Sequence, residues 1–539
     1  MPWHGALLGT EMEQTMSNLV IQTTSLGESL REAAKHWPAA PAFVDGARTW
    51  SFSQMDESVD HVACGLLALG LQRGDRIGVL GLNQIGWLQL FFAATRIGVS
   101  VVALSVRYRD HELLGTLGDS GAKALFTVRS ADGVDFVEMV REMRDRLDQL
   151  VHVGTFDADS AGALTLAALE RTPIDAGRLA QASAAVAADD AAMVIFTSGT
   201  TGRPKGALLT HGSMLAAARA EAEHLKVVPD DHVKVAMPLN HVGGITCCIL
   251  TMLLGGASSE LVPAFKAETV LQMMAARPPT VIVGVPTMLT LLLMHREKVS
   301  VDLSGVRLVI TGGSNADGEL LSRLMAAMPR AAVMNLYGLS ESSGALVMTP
   351  WNADRAAVLS SIGRPLQGAQ MRVADSSGGD APVGEVGELW FRGLGVVKGY
   401  LDQEGTQGSF GPNGWLCTGD MGYVDESGYI HLRGRKKDMF IQGGFNVYPA
   451  EVENFIASHP AVLMVAGIGV PDPVMGEIGR YHVVLRSGAA LSAEELCTYC
   501  AQHLADYKVP RQVVFLDQLP LTPTGKVHKA ALRDATGHQ

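Results

Sequence analysis

Between about residues 190 and 340, short apolar runs rich in β-branched residues alternate with amphipathic segments. This alternation predicts βα units arranged around a parallel sheet. The predicted strands cover residues 191–196, 280–283, 306–311 and 332–336, and the apolar spacing between them predicts helices at residues 211–225, 268–277 and 318–328. The pattern therefore indicates an α/β fold.

Each predicted strand runs into a loop of small or polar residues. These loops are a Gly/Thr-rich segment after residue 196, Gly284-Val-Pro-Thr, Gly312-Gly313 and Tyr337-Gly338. Ligands of open α/β sheets bind beyond the carboxyl ends of the strands. We therefore expect the four loops to line one site, although they lie far apart in the chain.

After about residue 360 the pattern changes to short strands with Gly-rich turns, which predicts a small β subdomain. From residue 449 onward, helical patterns at residues 450–458 and 493–504 alternate with strand patterns at residues 466–470, 481–486 and 512–516. The predicted organisation is a large N-terminal domain of parallel-type αβ subdomains with a small β subdomain, residues 1–434, followed by a small α+β domain, residues 435–539.

Composition narrows the class of protein. The 539 residues are 47% hydrophobic and 18% charged, which is typical of a globular chain with more than one domain. The formal net charge of -12 is spread without basic clusters, so nucleic acid is not an expected partner. The longest apolar stretch, residues 245–257, is shorter than the ~20 residues of a membrane span. The first twenty residues lack the features of a secretory signal, so we expect a cytoplasmic protein.

The six cysteines are scattered, which favours reduced thiols over a disulfide framework. Cys497 and Cys500 have the CxxC spacing of redox motifs and half zinc sites. However, both fall on one helical face with Leu496, Leu504 and Tyr507. We interpret them as core residues.

The strongest local motif directly follows the first predicted strand. It contains three glycines, several hydroxyl side chains and a lysine, in the order Thr197-Ser198-Gly199-Thr200-Thr201-Gly202-Arg-Pro-Lys205-Gly206. Glycines let backbone amides point at an anion, while the hydroxyls and the ammonium add donors and charge. The motif lacks the GK[ST] ending of a P-loop. It predicts a cradle for a polyphosphate.

Together with motifs further along, this loop resembles the adenylate-forming (AMP-binding) superfamily of acyl-CoA and aryl-CoA synthetases over nearly the whole chain. The motifs occur in the expected order: Pro238-Leu-Asn-His241, Gly312-Gly313, Tyr337-Gly-Leu-Ser-Glu341, Ile362-Gly-Arg-Pro-Leu366, Trp415-Leu-Cys-Thr-Gly-Asp420, Gly434-Arg-Lys-Lys-Asp438, Gly443-Gly-Phe-Asn-Val-Tyr-Pro449 and Pro520-Leu-Thr-Pro-Thr-Gly-Lys526. The resemblance implies that ATP activates a carboxylic acid as acyl-AMP, with release of pyrophosphate, and that coenzyme A then takes the acyl group.

The resemblance also implies roles for individual residues. Glu341 would hold Mg²⁺ on the phosphates, and Lys526 would be the catalytic lysine of a mobile C-terminal domain. Tyr337 would stack on adenine, and Asp420 would accept the ribose hydroxyls. The other nucleotide-site positions are the loop residues Thr197 to Gly202, together with Lys205, Gly313, Ser314, Asn335, Gly338, Ser340 and Arg435.

The same resemblance implies the residues of the acyl pocket, of the hinge between the domains and of the coenzyme A site. His241, counted also among the catalytic residues, would line the acyl pocket with Val285, Gly312, Gly313, Gly338 and Ser342. Lys437 would be the hinge, and Gly443 and Gly444 would approach the pantetheine of coenzyme A. Asn315 departs from the Gly-Gly-Ala-Pro of many relatives, and it would bond a polar acyl substituent, the adenine or the backbone.

The sequence leaves the identity of the acid open, although small residues near Gly312 favour an apolar chain or ring of moderate size. A standalone adenylation enzyme that loads a carrier protein is the alternative within the superfamily. A degenerate binding protein on this fold is disfavoured because Glu341, Asp420, Arg435 and Lys526 are all present. The oligomeric state is also open, with homodimers common among relatives.

Overall fold

The computed structural model describes residues 21–156, 164–197, 204–522 and 526–534. Over these ranges the chain forms two large mixed sheets, two smaller antiparallel or mixed sheets and a short hairpin. The α-helical and π-helical segments of these ranges are Leu26–His36, Phe52–Ala68, Ile85–Arg96, Asp110–Ser120, Phe136–Met143, Leu166–Glu170, Ala176–Ala184, His211–His224, Val242–Gly244, Ile245–Leu250, Thr251–Leu254, Ala267–Ala276, Pro286–His295, Gly318–Ala327, Arg355–Ser360, Gln403–Ser409, Pro449–Ala457, Ala493–Ala501 and Lys529–Asp534. The helices predicted from apolar spacing are therefore confirmed to within a few residues.

The first large sheet contains three of the four predicted strands. Its order is Arg364–Pro365, Gly344–Met348, Ala332–Leu339, Leu308–Gly312, Val281–Gly284, His232–Val235, Ser258–Leu261, Pro41–Asp45 and Arg48–Ser51. The central strands are parallel and the edge pairs are antiparallel. The parallel arrangement predicted for residues 280–336 is confirmed.

The fourth predicted strand, Ala191–Thr197, belongs to a second sheet. That sheet has the order Lys205–Thr210, Ala191–Thr197, Ser100–Leu104, Arg76–Leu80, Ala124–Thr127, His152–Thr155 and Leu164–Thr165. Ala191–Thr197 runs parallel to Ser100–Leu104 and antiparallel to Lys205–Thr210. The expectation of a single sheet was wrong, because local patterns predict strands but not which of two sheets a strand joins.

Successive side chains of the central strands belong to different hydrophobic clusters, one on each face of the sheet. Val101 faces the cluster that joins the two sheets through helices Phe52–Ala68 and Ile85–Arg96, while Val102 faces the helices on the outer side. In the other large sheet, Ile310 faces the same central cluster, and Val309 faces the helices on the outer side. Successive strand residues point to opposite faces, so both sheets are covered by apolar side chains on both sides.

The two smaller sheets match the predicted β subdomain and C-terminal domain. The first has the order Ala369–Ala374, Gly387–Gly393, Leu416–Val424 and Ile430–Arg435, and the second contains Phe445–Val447, Phe440–Gln442, Gly476–Leu485, Val462–Asp472 and Gln512–Phe515. Helices Pro449–Ala457 and Ala493–Ala501 pack on the second sheet. A separate α+β unit at the C-terminus is confirmed, while the boundary at residues 434 and 435 stays a prediction.

The structure bears on two sequence-based expectations, that the cysteines are reduced and that the apolar residues 245–257 do not span a membrane. All six cysteines are free, with Cys500 buried in the core of the C-terminal domain and Cys497 donating its thiol to the Pro510 carbonyl. Within the described residues, no helix is long and apolar enough to cross a bilayer. The apolar residues 245–257 instead form the buried helical segments Ile245–Leu250, a π-helix, and Thr251–Leu254.

A carboxyl group lies buried against this π-helix. Glu221, on helix His211–His224, is 0% exposed, and its Oε1 accepts hydrogen bonds from the Ala345 amide at 2.8 Å and from the Cys247 thiol at 3.2 Å. The Thr251 hydroxyl reaches Oε2 at 3.2 Å. Burial raises the pKa of Glu221 to about 7, against which the three hydrogen bonds act only partly.

We expect Glu221→Gln to flatten part of the pH dependence of stability. Because the folded pKa of about 7 lies above the ordinary 4.5, Glu221 stabilises the folded state most below pH 4.5 and loses that contribution as the pH rises through 7. At about 1.4 kcal/mol per pH unit, the loss amounts to about 3 kcal/mol. Thermal unfolding at pH 5 and pH 8 should show a smaller Tm change for the variant. Parallel curves for wild type and Glu221→Gln would contradict this, and exposed Glu426→Gln is the control.

Candidate active site

Strand ends from the two large sheets meet at Glu341. Glu341 lies in a helical turn, Ser340–Ser342, that follows strand Ala332–Leu339, and Ser343 ends the turn with a positive φ of 58°. Thr197, the last residue of its strand in the other sheet, donates its hydroxyl to Glu341 Oε1 at 3.3 Å. Tyr400 donates to the same oxygen at 2.7 Å. The predicted convergence of these two loops is therefore confirmed, although they come from different sheets.

Asp420 is the centre of a second cluster of polar side chains. The Tyr337 hydroxyl donates to Asp420 Oδ2 at 2.7 Å, and Arg435 Nε donates to Oδ1 at 2.8 Å. Burial and the adjacent Asp420 raise the pKa of Tyr337 well above its usual value, so its hydroxyl keeps the proton and remains a donor. Each carboxylate oxygen has a further lone pair. Asp420 can therefore still accept from the hydroxyls of a ribose, as predicted.

Tyr337 was predicted to stack on adenine. In the structure its ring lies tilted against Phe391, with 5.8 Å between ring centroids, and its hydroxyl is bonded to Asp420. Asn335, also predicted for the nucleotide site, is buried and its amide nitrogen donates to the carbonyls of Val358 and Ser361. The two contacts occupy the Nδ2 donor of Asn335 and leave its Oδ1 as an acceptor. The nucleotide contacts of Tyr337 and Asn335 stay predictions.

Lys526 of the C-terminal domain enters the same site. A side-chain carbon placed on Gly313 would lie 3.5 Å from Lys526 Cε and 3.3 Å from Val285 Cγ1, so Lys526 packs on the glycine turn beside the predicted acyl wall. Burial lowers the pKa of Lys526, and Arg435 lowers it further, while Asp420 and Glu341 raise it. The lysine therefore lies among the residues that the sequence assigned to the nucleotide.

His241 lies close enough to Lys526 for their charges to interact. Burial, and then the positive charge of Lys526, lower the pKa of His241 to about 3, so the ring is neutral at physiological pH. Its Nδ1 accepts a hydrogen bond from the Gly243 amide at 3.1 Å, which assigns the proton of the neutral ring to Nε2. The structure thus supports His241 as a neutral donor in the site; its place in the acyl pocket stays a prediction.

The remaining predicted pocket residues divide into two groups. Gly312 and Gly338 allow close backbone approach, since a side-chain carbon on either would lie 2.4 Å or less from a carbonyl oxygen. Ser342 is fully buried, and its hydroxyl bonds the backbone of Leu339 and Gly344 within the turn. Ser342 therefore lies behind the site, and direct contact with the acid is not supported for it.

Asn315 contacts a side chain of the C-terminal domain, and its predicted contacts with the acid or the adenine stay predictions. Its Nδ2 donates to Oδ1 of Asn454, on helix Pro449–Ala457 of the C-terminal domain, at 3.0 Å. A second contact joins the two domains nearby. Arg433 of the β subdomain lies 3.4 Å from the carboxylate of Glu451 in the C-terminal domain, which Lys508 of the same domain also approaches, at 2.8 Å. Asn315 is thus a contact between the large domain and the C-terminal domain in the arrangement that brings Lys526 into the site.

The predicted hinge and coenzyme A residues lie in the two turns that follow strand Ile430–Arg435. Lys437 is exposed in the turn between strands Ile430–Arg435 and Phe440–Gln442. Gly443 and Gly444 form the next turn with φ of 58° and 88°, and the Gly443 amide bonds the Met475 carbonyl within the C-terminal domain. Their roles stay predictions. Of the phosphate loop, Ser198, Gly199, Thr200, Thr201 and Gly202 lie outside the described residues.

Lys205, Ser314 and Ser340 complete the predicted nucleotide residues. Lys205 begins the strand after the phosphate loop, and its ammonium lies 5.6 Å from the centre of the Tyr400 ring. Ser340 is buried in the Glu341 turn, while Ser314 is exposed next to Asn315. Tyr400 was missed by the sequence analysis, because a single tyrosine after Gly399 belongs to no periodic pattern and its partner Glu341 lies 59 residues away.

Comparison with known proteins identifies the class to which this fold and site belong. The AMP-binding enzyme family matches residues 30–401, and its C-terminal domain matches residues 451–526. The chain is 34% identical to the 3-[(3aS,4S,7aS)-7a-methyl-1,5-dioxo-octahydro-1H-inden-4-yl]propanoyl:CoA ligase of Rhodococcus jostii, over 95% of this chain and 99% of that protein. It is 34% identical to a feruloyl-CoA synthase of Amycolatopsis, over 96% and 100% of the two chains.

A solved structure agrees with these relatives. The crystal structure of the anthranilate CoA ligase AuaEII in complex with anthranoyl-AMP superposes with a TM-score of 0.88 at 25% identity, covering 96% of this chain and 98% of that one. The chain belongs to the AMP-binding enzyme family. Within it, the chain is an acyl-CoA ligase, and the class predicted from the sequence motifs is confirmed.

Proposed function

We propose that the structure represents the arrangement in which the acid is activated, with Lys526 and Glu341 acting on the phosphates of ATP. The position of Lys526 against Gly313 carries this proposal, because it places the ammonium beside the acyl wall at Val285 and within the electrostatic influence of Arg435, Asp420 and Glu341. A carboxylate that attacks the α-phosphorus brings two anions together. A buried ammonium between them lowers the electrostatic cost in the transition state.

The residues present fit Mg²⁺ as a partner of ATP. Among the described residues, no group of three or more His, Cys, Asp or Glu side chains could hold a metal alone. Mg²⁺ often binds through one or two carboxylates plus substrate phosphates and water, which suits a site with Glu341 as its one predicted protein ligand. When bound, the ion neutralises phosphate charge and withdraws electrons from the pyrophosphate that departs.

The reaction proposed for this site has two steps. First, a carboxylate oxygen of the acid forms a bond to the α-phosphorus of ATP, and the bond to the β-phosphate oxygen breaks to release pyrophosphate. Second, the thiolate sulfur of coenzyme A attacks the acyl carbonyl, and AMP leaves with the oxygen that bridged carbon and phosphorus. Lys526 acts in the first step, and Asp420 and Arg435 hold the ribose in both.

We further propose that the acid carries an uncharged ring or chain of moderate size. Of the described residues assigned to the pocket, apart from Ser342 behind it, none is charged at neutral pH, since His241 is held neutral and the others are Val285 and glycines. Relatives named for feruloyl and dioxo-indenyl propanoyl groups support a ring-bearing acid. A second carboxylate would lose its hydration in such a pocket without a cation to replace it.

An acid panel tests both the reaction and its substrate class. Aromatic acids, arylpropanoic acids, C6 to C12 fatty acids and dicarboxylic acids are each supplied with ATP, Mg²⁺ and either coenzyme A or a phosphopantetheinylated carrier protein. We expect pyrophosphate release and acyl-CoA with uncharged acids, at kcat/KM at least about tenfold above dicarboxylic acids of equal length. Preference for a dicarboxylic acid would contradict the proposed pocket, and acylation of the carrier protein in place of coenzyme A would contradict the acceptor.

We propose Lys437 as the hinge between an N-terminal domain of residues 1–434 and a mobile C-terminal domain of residues 435–539. Its exposure in a turn between two sheets supports this, because hinge residues absorb backbone rotation at the ends of elements. For coenzyme A to enter, Lys526 and the Asn315–Asn454 contact must move away, which would bring Gly443 and Gly444 toward the site. A homodimer and a cytoplasmic location stay predictions; light scattering tests the first.

We expect Lys437→Pro to slow the thioester step while leaving adenylate formation largely intact. Proline fixes φ near −65° and so restricts rotation at the hinge, whereas the activating arrangement needs no rotation once formed. ATP–pyrophosphate exchange measures the first step, and acyl-CoA formation from supplied acyl-adenylate measures the second. Lys298→Pro, in an exposed turn of the large domain, is the control. Equal losses in both steps would remove the hinge role from Lys437.

A further inference from the structure

The segment that carries Tyr400 is attached to the strand that leaves the phosphate loop. Tyr400 forms an antiparallel bridge with Ala207, the Leu208 amide donates to the Gly399 carbonyl at 3.1 Å, and the Leu401 amide donates to the Gly206 carbonyl at 2.8 Å. Strand Lys205–Thr210 therefore fixes the backbone of Tyr400. Whatever positions this strand also positions the tyrosine.

The same segment holds Glu341 from two directions. The Val397 amide donates to the backbone carbonyl of Glu341 at 2.8 Å, and the Tyr400 hydroxyl donates to its side-chain Oε1 at 2.7 Å. Tyr400 is 8% exposed, and its ring packs edge-to-face on Phe410 with 6.3 Å between centroids. The position of the hydroxyl is thus determined by packing as well as by the hydrogen bond.

The direction of this hydrogen bond is fixed by chemistry. A carboxylate only accepts hydrogen bonds, so the Tyr400 hydroxyl is the donor in its 2.7 Å contact with Glu341 Oε1. Thr197 donates to Oε1 as well, at 3.3 Å. Among the described residues, the two side-chain donors to Glu341, Thr197 and Tyr400, both reach Oε1.

We propose that Tyr400 is a positioning residue that fixes the rotamer of Glu341, so that its carboxylate would be held in place for the metal of MgATP, and that it links this carboxylate to the strand leaving the phosphate loop. The proposal rests on the assignment of Glu341 as the Mg²⁺ ligand. Groups that orient a metal ligand typically change metal affinity by about 10- to 100-fold when removed.

The variant Tyr400→Phe removes the hydroxyl and keeps the ring that packs on Phe410 and lies near Lys205. We expect the Mg²⁺ concentration for half-maximal ATP–pyrophosphate exchange to rise about tenfold or more. We expect a similar rise in the Kd of MgATP, measured by calorimetry without the acid. Thioester formation from supplied acyl-adenylate should be unchanged. The half-saturating Mg²⁺ concentration does not depend on the folded fraction of the sample, so partial loss of protein cannot imitate the result.

Two further variants distinguish failure of this inference from failure of the metal assignment. Tyr423→Phe removes a tyrosine hydroxyl from the small β subdomain and should leave the Mg²⁺ dependence unchanged. Glu341→Gln keeps an acceptor for Tyr400 but removes the charge. If Glu341→Gln raises the Mg²⁺ requirement and Tyr400→Phe does not, the positioning role is overturned while the metal site stands. If neither variant changes it, the assignment of Glu341 to Mg²⁺ fails as well.

Discussion

Replacing Lys526 with alanine is expected to slow formation of the acyl-adenylate by about 10²- to 10³-fold. The ammonium packs on Gly313 within the site, where burial already lowers its pKa, so its interaction with phosphate is weakly screened by water. Removing one donor that stabilises developing charge in such a site typically costs about 2.7 to 4 kcal/mol. ATP–pyrophosphate exchange, measured without coenzyme A, isolates this step.

The same variant should form acyl-CoA from supplied acyl-adenylate at close to the wild-type rate, because the C-terminal domain must turn Lys526 away before coenzyme A enters. Lys529→Ala is the matched control, since the Lys529 ammonium pairs with Glu453 inside the C-terminal domain at 2.6 Å. If a folded Lys526→Ala enzyme loses both steps equally, Lys526 either acts in both or acts through structure, and the division of roles would have to be abandoned.

Glu341→Ala is expected to reduce ATP–pyrophosphate exchange and the overall reaction together, by about 10²-fold or more. The substitution removes the one carboxylate predicted to hold Mg²⁺, the acceptor of the Tyr400 hydroxyl, and one of the two acceptors of the Thr197 hydroxyl, which also reaches the Lys205 carbonyl. The expected loss should be partly relieved by high Mg²⁺, because a missing ligand weakens binding of the ion. Lys526→Ala should show no such relief.

The control for this variant is Glu388→Ala. Glu388 is also a carboxylate near the nucleotide side chains, but its oxygens bond the Gly419 amide and the Lys436 ammonium. Glu388→Ala should lower the stability of the β subdomain and leave the Mg²⁺ requirement of ATP–pyrophosphate exchange nearly unchanged. Normal exchange in Glu341→Ala at low Mg²⁺ would rule out the metal assignment.

Sequence patterns predicted helices and strands well where a single periodic pattern of apolar residues is present. The strands ending at Thr197 and Gly312 and the helix Gly318–Ala327 follow from β-branched runs and apolar spacing. The resemblance of short motifs to those of the adenylate-forming superfamily selected site residues that the structure brings near Lys526, including Glu341 and Asp420. These features depend on residues that are near one another in the chain.

Contacts between distant segments could not be predicted in this way. The assignment of Ala191–Thr197 to a second sheet depends on pairing with Ser100–Leu104, about ninety residues earlier, and strand propensity carries no information on the partner. The same applies to the bond between Asn315 and Asn454. The buried Glu221 was missed because a glutamate in an amphipathic helix normally indicates its exposed face, and only the surrounding Ala345, Cys247 and Thr251 make its burial tolerable.

The sequence of bond changes can be tested directly by following the carboxylate oxygens. An acid that the panel shows to be a substrate is labelled with ¹⁸O at both carboxylate positions and converted in the presence of ATP, coenzyme A and pyrophosphatase. Mass spectrometry of the AMP and of the phosphate derived from pyrophosphate then shows where the label goes. Attack on the α-phosphorus followed by thioester formation predicts one ¹⁸O in each AMP and none in the phosphate. Unlabelled AMP, or label in the phosphate, would contradict the acyl-adenylate route.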